Sequence, residues 1–224
     1  MEPTPDPHPR LEPLLRSLRV WDTELPAFDP TATPGAPLPL FAEWFAAAVA
    51  AGQTEPHTPT LATTDADGHP DARTVMLHGA DARTVHFASH NSSAKGRQLA
   101  AHPYAALHFY WPAQGRQVRL RGPVRTAPAE TAHADLHARS TGALASALTG
   151  HQSEHLPSVD VLVRASEEAW DRARREPDAP VPSWTVYELE PREAEFFQGD
   201  ARRRHVRLRY AHTDGAWTKE LLWP

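Results

Sequence analysis

The chain contains no cysteine. That absence excludes thiolate catalysis, disulfide bonds and Cys-ligated zinc. It also lacks any apolar run near the roughly 20 residues that cross a bilayer, and its N-terminus has no signal-peptide core. A soluble, cytoplasmic protein without a membrane partner is therefore expected. Basic charge is short: 23 Lys and Arg stand against 28 Asp and Glu, a formal net charge of -5. Non-specific duplex binding needs an overall basic surface, so no nucleic-acid partner is expected and any cationic site must be local. No glycine-rich phosphate loop of the Rossmann or P-loop kind occurs.

What is present is enough for one core: 224 residues, 40% of them hydrophobic. Ten of the 23 prolines fall within residues 1–39. This divides the chain into a proline-rich segment over 1–37 and a domain over 38–224. The first nine residues are expected to be disordered, and Leu11 to Leu18 to form a short helix that packs on the body. From Pro39, residues Leu40, Phe41, Trp44, Phe45 and Ala48 recur at helical spacing before Gly52. They predict an amphipathic helix whose aromatic stripe is core.

Strands dominate thereafter. Thr58–Thr63, Pro70–Leu77 and Thr84–Ser89 are short runs separated by turn residues, and read as an antiparallel meander. Ala105–Gly122 reads as two strands joined at Pro112–Gly115. In its second half Val118 and Leu120 face one way while Gln117, Arg119 and Arg121 face the other, a cationic sheet face suited to an anion or a polar ring. A second such face is read at the C-terminus, where alternation sets Arg203, His205, Arg207 and Arg209 opposite Val206, Leu208 and Tyr210. Further strands are expected at Trp184–Leu189, Ala194–Gln198 and Trp217–Leu222. Ser92–Ala101 reads as a helix capped by Ser92 or Ser93, with Lys95 in its first turn, where the helix dipole favours an anion rather than a cation. Pro128–Arg139 and Ser158–Arg175 read as further helices. His133/His137 and His151/His155 repeat a four-residue spacing without an HExxH pattern, so no metal site is expected.

Five collinear segments carry a resemblance: RTVMLH at Arg73–His78, KGRQLAAHP at Lys95–Pro103, FYWP with RQVRLRG at Phe109–Gly122, HQS at His151–Ser153, and FFQGDARRRHVRLRY at Phe197–Tyr210. In this order they resemble the pyridoxamine 5'-phosphate oxidase family of FMN-dependent enzymes. The resemblance implies an α+β, mainly β fold: an FMN-binding split β-barrel flanked by helices, assembled as a homodimer with FMN at the subunit interface. It further implies that Arg73 and Lys95 hold the FMN phosphate, the anion that a first-turn lysine calls for. Val75, Met76 and Leu77 would run along the isoalloxazine, with Ser89 in a second contact segment. Gln117, Gln152, Ser153, Phe197 and Arg207 would complete the cofactor site, Arg207 at the side where positive charge steadies reduced flavin. Arg203 and His205 correspond to the catalytic pair that flanks the substrate ring.

The departures bear on substrate. Family members hold the substrate phosphate with a lysine, a tyrosine, an arginine and a serine; the corresponding residues here are His78, Asp135, Arg139 and Ala143. A carboxylate repels a phosphate dianion, and each lost charge-assisted contact costs about 1.5 to 3 kcal/mol. A family arginine beside the helix lysine is Ala94, and a tryptophan near the flavin is Phe197. The expectation is an FMN-dependent oxidase that passes a hydride from a small aromatic or amine substrate to flavin and then reduces O2. Its substrate would be unphosphorylated and belong to secondary metabolism, as in phenazine-biosynthesis oxidases that resemble this family. The alternatives are a pyridoxine or pyridoxamine 5'-phosphate oxidase and a non-catalytic flavin- or B6-binding protein.

Overall fold

A computed structural model describes residues 11–21 and 24–224. The disorder expected over the first nine residues lies outside that range. Helix α1 (Leu11–Ser17) forms where expected, but none of its residues is buried, so it does not pack on the body. Its apolar stripe of Leu11, Leu14 and Leu15 is exposed, and among the described residues the segment is first anchored at Trp21, ten residues on from Leu11. Helix α2 (Pro37–Ala50) buries Leu38, Leu40, Phe41, Trp44 and Ala48, and the chain leaves it through Gly52 at φ +70.

Among the described residues, ten strands follow an antiparallel plan. One branch runs β10-β9-β8-β6-β5-β1-β2, comprising β1 (Thr60–Thr64), β2 (Pro70–Thr74), β5 (Tyr104–Trp111), β6 (Arg116–Thr126), β8 (Glu193–Gln198), β9 (Val206–Thr213) and β10 (Ala216–Leu222). The other joins β3 (Leu77–Ala80), β4 (Val85–His90) and β7 (Trp184–Leu189) to the end of β6. Strand β6 serves both: Arg116–Arg121 pair with β8, and Val124–Thr126 pair with β7. It changes sheets at Gly122, where a Cβ would lie 1.9 Å from the Glu190 carbonyl oxygen. Only glycine lets two backbones approach so closely. The result is a split β-barrel with helices on its flanks, filled by Phe87, Phe109, Trp111, Phe196, Tyr210 and the aromatics of α2.

The meander expected from Thr58 to Ser89 is not one. The run Pro70–Leu77 divides at Val75–Met76; β2 pairs with β1, whereas β3 pairs with β4 in the other branch. Backbone bonds from Val75 to Pro59 and from Leu77 to His57 carry the chain across the gap. The remaining helices are α3 (Ala94–Ala101), α4 (Ala129–His137), α5 (Thr141–Thr149) and α6 (Val159–Arg175). Helix α5 was not anticipated. Its run of Ala, Gly and Ser gives a weak apolar period, and it is held by the Ser140 cap and by burial of Leu144, Ala145 and Ala147.

Candidate active site

The first cluster forms where β4 gives way to α3. Ser93 caps α3 by accepting from the Gly96 amide at 3.2 Å, and Gly96 is obligatory because a Cβ would meet the Asn91 carbonyl oxygen at 2.3 Å. This turn aims Lys95 inward, only 9% exposed. Its ammonium donates to Ser89 Oγ and to Gln152 Oε1, both at 3.1 Å, and Ser89 Oγ bonds the same Gln152 oxygen at 3.0 Å. Burial, then the neighbouring Arg73, push the Lys95 ammonium below its ordinary range. No carboxylate among the described residues is bonded to it. The loop that supplies Gln152 is held in left-handed conformations at His151 (φ 53) and Ser153 (φ 73), the kind of strain that collects at functional sites. Ser153 Oγ accepts from the Ala94 amide at 3.1 Å, tying this loop to the start of α3.

Lys95, Ser89 and Gln152 line a cavity of about 550 Å³ together with Val75, Met76 and His78, whereas Ser153 lies outside its lining. Leu77 instead packs on the core. Arg73 is not among the lining residues. It lies behind them on β2, where its guanidinium reaches Asp71, Thr63 and, at 3.0 Å, Gln98.

His78 and Trp184 line another part of the same wall; behind it, and not themselves lining the cavity, lie Asp135, 3.0 Å from His78 Nδ1, and Arg139, whose Nη2 donates to Asp135 at 3.1 Å. Trp184 Nε1 reaches the same carboxylate at 3.5 Å. Burial alone would raise the Asp135 carboxyl, but the His78 and Arg139 hydrogen bonds and charges outweigh it and hold it below the ordinary carboxylate range. Arg139 thus meets a carboxylate from its own helix turn. Ala143 does not line the cavity; Gly142 and Ser146 of α5 do. Ser146, one turn beyond Ala143, escaped sequence reading because α5 itself did.

The second cluster lies on β6, β8 and β9. Gln117 Oε1 is 3.1 Å from His108 Nε2, Arg119 donates to Glu195 at 2.8 Å, and Arg207 Nε donates to Glu195 at 2.8 Å. The faces that sequence alternation presents as cationic are therefore charge ladders: Glu193 and Glu195 of β8 sit between Arg119 and Arg121 on one side and Arg207 and Arg209 on the other. The Glu195 hydrogen bond raises the Arg207 guanidinium further above its ordinary range. Gln117, Phe197 and Arg207 border a cavity of about 320 Å³ that shares no residue with the first.

Arg203 is not on a strand. It stands in the turn before β9 at φ 65, so the alternation holds only from Val206. His205 is fixed by the Asp200 amide, which donates to its Nδ1 at 3.1 Å and leaves Nε2 as the proton-bearing nitrogen of the neutral ring. Trp21 packs edge-on against His205 at 5.3 Å and against Phe197 at 6.3 Å, over Gly199, where a Cβ would meet the indole at 3.0 Å. A lone tryptophan in a proline-rich segment carried no periodic signal of this role.

Two family descriptions match the chain: pyridoxamine 5'-phosphate oxidase over residues 45–173, and the pyridoxine 5'-phosphate oxidase C-terminal dimerisation region over residues 184–224. A pyridoxine/pyridoxamine 5'-phosphate oxidase of Pseudomonas paraeruginosa is 42% identical over 194 residues, covering 85% of this chain and 90% of the relative. One from Rhodococcus jostii is 40% identical over 188 residues, covering 84% of each. Among solved structures, PhzG from Burkholderia lata in complex with tetrahydrophenazine-1-carboxylic acid superposes with a TM-score of 0.82 at 29% identity, over 91% of this chain and 98% of that one. A pyridoxamine 5'-phosphate oxidase-related, FMN-binding protein from Nostoc punctiforme shares the fold, with a TM-score of 0.70 at 19% identity, over 86% of this chain and 100% of its own. By sequence, over most of its length, the chain belongs to the pyridoxamine 5'-phosphate oxidase family.

Proposed function

We propose that the protein is an FMN-dependent oxidase of a small aromatic or amine substrate that carries no phosphate. The observation that supports FMN is the buried Lys95 ammonium, bonded among the described residues only to neutral oxygens at the first turn of α3. A buried cation without a counter-ion is costly, and a phosphate monoester placed there relieves the cost. The donor set fits that group: Lys95, Ser89, Gln152 and the start of α3 for the phosphate, with Val75 and Met76 along the ring. Gln117, Phe197 and Arg207 offer hydrogen bonds, an aromatic face and positive charge to a flavin ring, but from the separate second cavity. A homodimer that sets the second cluster of one subunit against the first cluster of its partner makes one site from both, and the match to a C-terminal dimerisation region supports it.

When bound, FMN supplies hydride acceptance from substrate and reoxidation by O2. The chain's own part is to exclude water, orient the substrate and hold charge. Arg203 and His205 would position the substrate ring, and Arg207 would keep the positive charge that Glu195, shared with Arg119, cancels only in part.

The argument about substrate rests on Asp135. With His78, Arg139 and Trp184 all directed at this carboxylate, the one arginine retained from the family's phosphate set is already neutralised. Neither Asp135 nor Arg139 lines the cavity itself; a phosphate dianion placed beside His78 and Trp184 would have this ionised carboxylate behind them and neutral hydroxyls such as that of Ser146 in front. The likeness to PhzG, whose solved complex holds a carboxylated tricyclic compound, supports an unphosphorylated substrate in secondary metabolism.

The second reading, a pyridoxine or pyridoxamine 5'-phosphate oxidase, is favoured by the names of the relatives at 40–42% identity. An anaerobic absorbance titration separates the two. The protein is expected to show flavin bands that persist with excess pyridoxamine 5'-phosphate; bleaching of those bands establishes the second reading. A protein that shows no flavin band after FMN is added refutes both.

A further inference from the structure

His90 closes β4 next to the lysine cluster and has no part in the reading above. The residue is 4% exposed and its ring is clamped: Nδ1 lies 2.8 Å from Ser183 Oγ, and the ring stands edge-on to Trp184 with centroids 5.5 Å apart. Its own carbonyl accepts from Ser93 Oγ at 2.7 Å, so the residue is tied to the cap of the helix that carries Lys95. His90 lines the same cavity as Lys95, Ser89 and Gln152. Nε2 has no partner among the described residues, yet it is not sealed from solvent. A histidine fixed through one nitrogen presents the other to whatever fills the cavity.

We propose that His90 is a further ligand of the cofactor phosphate, donating from Nε2, and that it binds that phosphate together with a proton taken up from solvent. This rests on the FMN reading. Ser183 permits both states of the ring. Its hydroxyl can donate to a bare Nδ1 when the imidazole is neutral, and can accept from Nδ1–H when it is charged. Without ligand, burial and the Lys95 charge push the His90 imidazole below its ordinary range, so it is neutral. The other charged groups around it are Arg73 and Asp71 behind Lys95, and His78, Asp135 and Arg139 on the far side of Trp184. Those groups already pair among themselves as Arg73 with Asp71 and as the His78–Asp135–Arg139 cluster. A phosphate dianion is the missing negative charge on the cavity side.

The sign follows from linkage. A ring whose pKa rises on binding takes up a proton, so the affinity it adds is full below the unliganded pKa and is lost as pH rises through the liganded one. A rise of one unit changes affinity by up to about tenfold.

The test is FMN affinity of the stripped full-length protein and of His90→Asn, measured by flavin fluorescence from pH 6 to pH 8.5, with riboflavin as the probe lacking phosphate. Protonation of the FMN phosphate affects both proteins alike and cancels in their ratio. The expected result is that wild type gains progressively over the variant as pH falls across this range for FMN, severalfold by pH 6 and toward about tenfold only below the unliganded pKa, and gains nothing for riboflavin. A ratio constant with pH, or one that changes equally for riboflavin, overturns the proposal while leaving the FMN reading intact. FMN that fails to bind wild type at any pH overturns both. Should His90→Asn not fold, the ring resonances of His90 in wild type decide: an upward pKa shift on FMN loading supports the proposal, and an unchanged pKa overturns it.

Discussion

At the residue scale, the site is built from two opposite treatments of a buried charge. Lys95 is left without a carboxylate, whereas Asp135 is surrounded by donors. Replacing Lys95 by Met is therefore expected to weaken FMN binding by about 10- to 100-fold, the equivalent of a charge-assisted contact of about 1.5 to 3 kcal/mol. The same variant should leave the cofactor-free protein as stable as before or more so, because it removes an uncompensated burial; thermal melts with and without FMN read both effects. Asp135→Asn should behave in the reverse manner. It leaves Arg139 half-buried with a poorer partner and is expected to destabilise the fold by about 1 to 3 kcal/mol in denaturant titrations near neutral pH. Since the folded-state pKa of Asp135 is depressed, its contribution is present above the ordinary carboxylate value of 3.8 and lost as pH falls through the lower folded value. The difference between wild type and the variant should accordingly hold steady at neutral and mildly acidic pH and shrink only under strongly acidic conditions.

At the element scale, two glycines, Gly96 at the start of α3 and Gly122 within β6, determine where the charged side chains go. Gly122 lets β6 pass the Glu190 turn and switch from one branch of the barrel to the other, so Gln117 and Arg119 sit on the first branch while Val124 pairs with β7. Gly122→Ala is expected to cost about 2 to 4 kcal/mol, measured by chemical denaturation, because the clash is with backbone and not with a movable side chain. Much of this architecture is legible in the residues. The stripe of α2, the strands β5 through β10 and the first-turn lysine of α3 follow from periodicity, β-branched and aromatic content and caps, most cleanly in β5 and β6, where buried and exposed residues alternate. What was not legible has a common physical cause, the influence of a neighbour distant in sequence. The division of Pro70–Leu77 depends on which branch captures each half. Helix α5 is stabilised by packing against α6 and not by its own pattern. The apparent cationic faces are partly neutralised by Glu193 and Glu195, which lie 74 and 76 residues along the chain from Arg119.

At the scale of the whole molecule, the sequence order of the motifs concealed how they divide in space. Residues read as one cofactor site fall into two cavities of the single chain: Lys95, Ser89 and Gln152 line one, and Gln117, Phe197 and Arg207 line the other. Two half-sites on one chain are the expected mark of a site shared across a twofold axis, where each subunit lends each half once. This makes a prediction that no single-chain site shares. Lys95→Met and Arg207→Ala should each bind FMN poorly as pure dimers, because both of their composite sites carry one defect. Refolding the two variants together makes mixed dimers in which one site collects both defects and the other collects none. With random pairing, half of the dimers are mixed and each carries one sound site in two, so about one quarter of all sites should regain wild-type affinity. Flavin titration of the mixture measures that fraction directly. If every site lies within one chain, mixing restores none, and the division into two cavities requires another explanation.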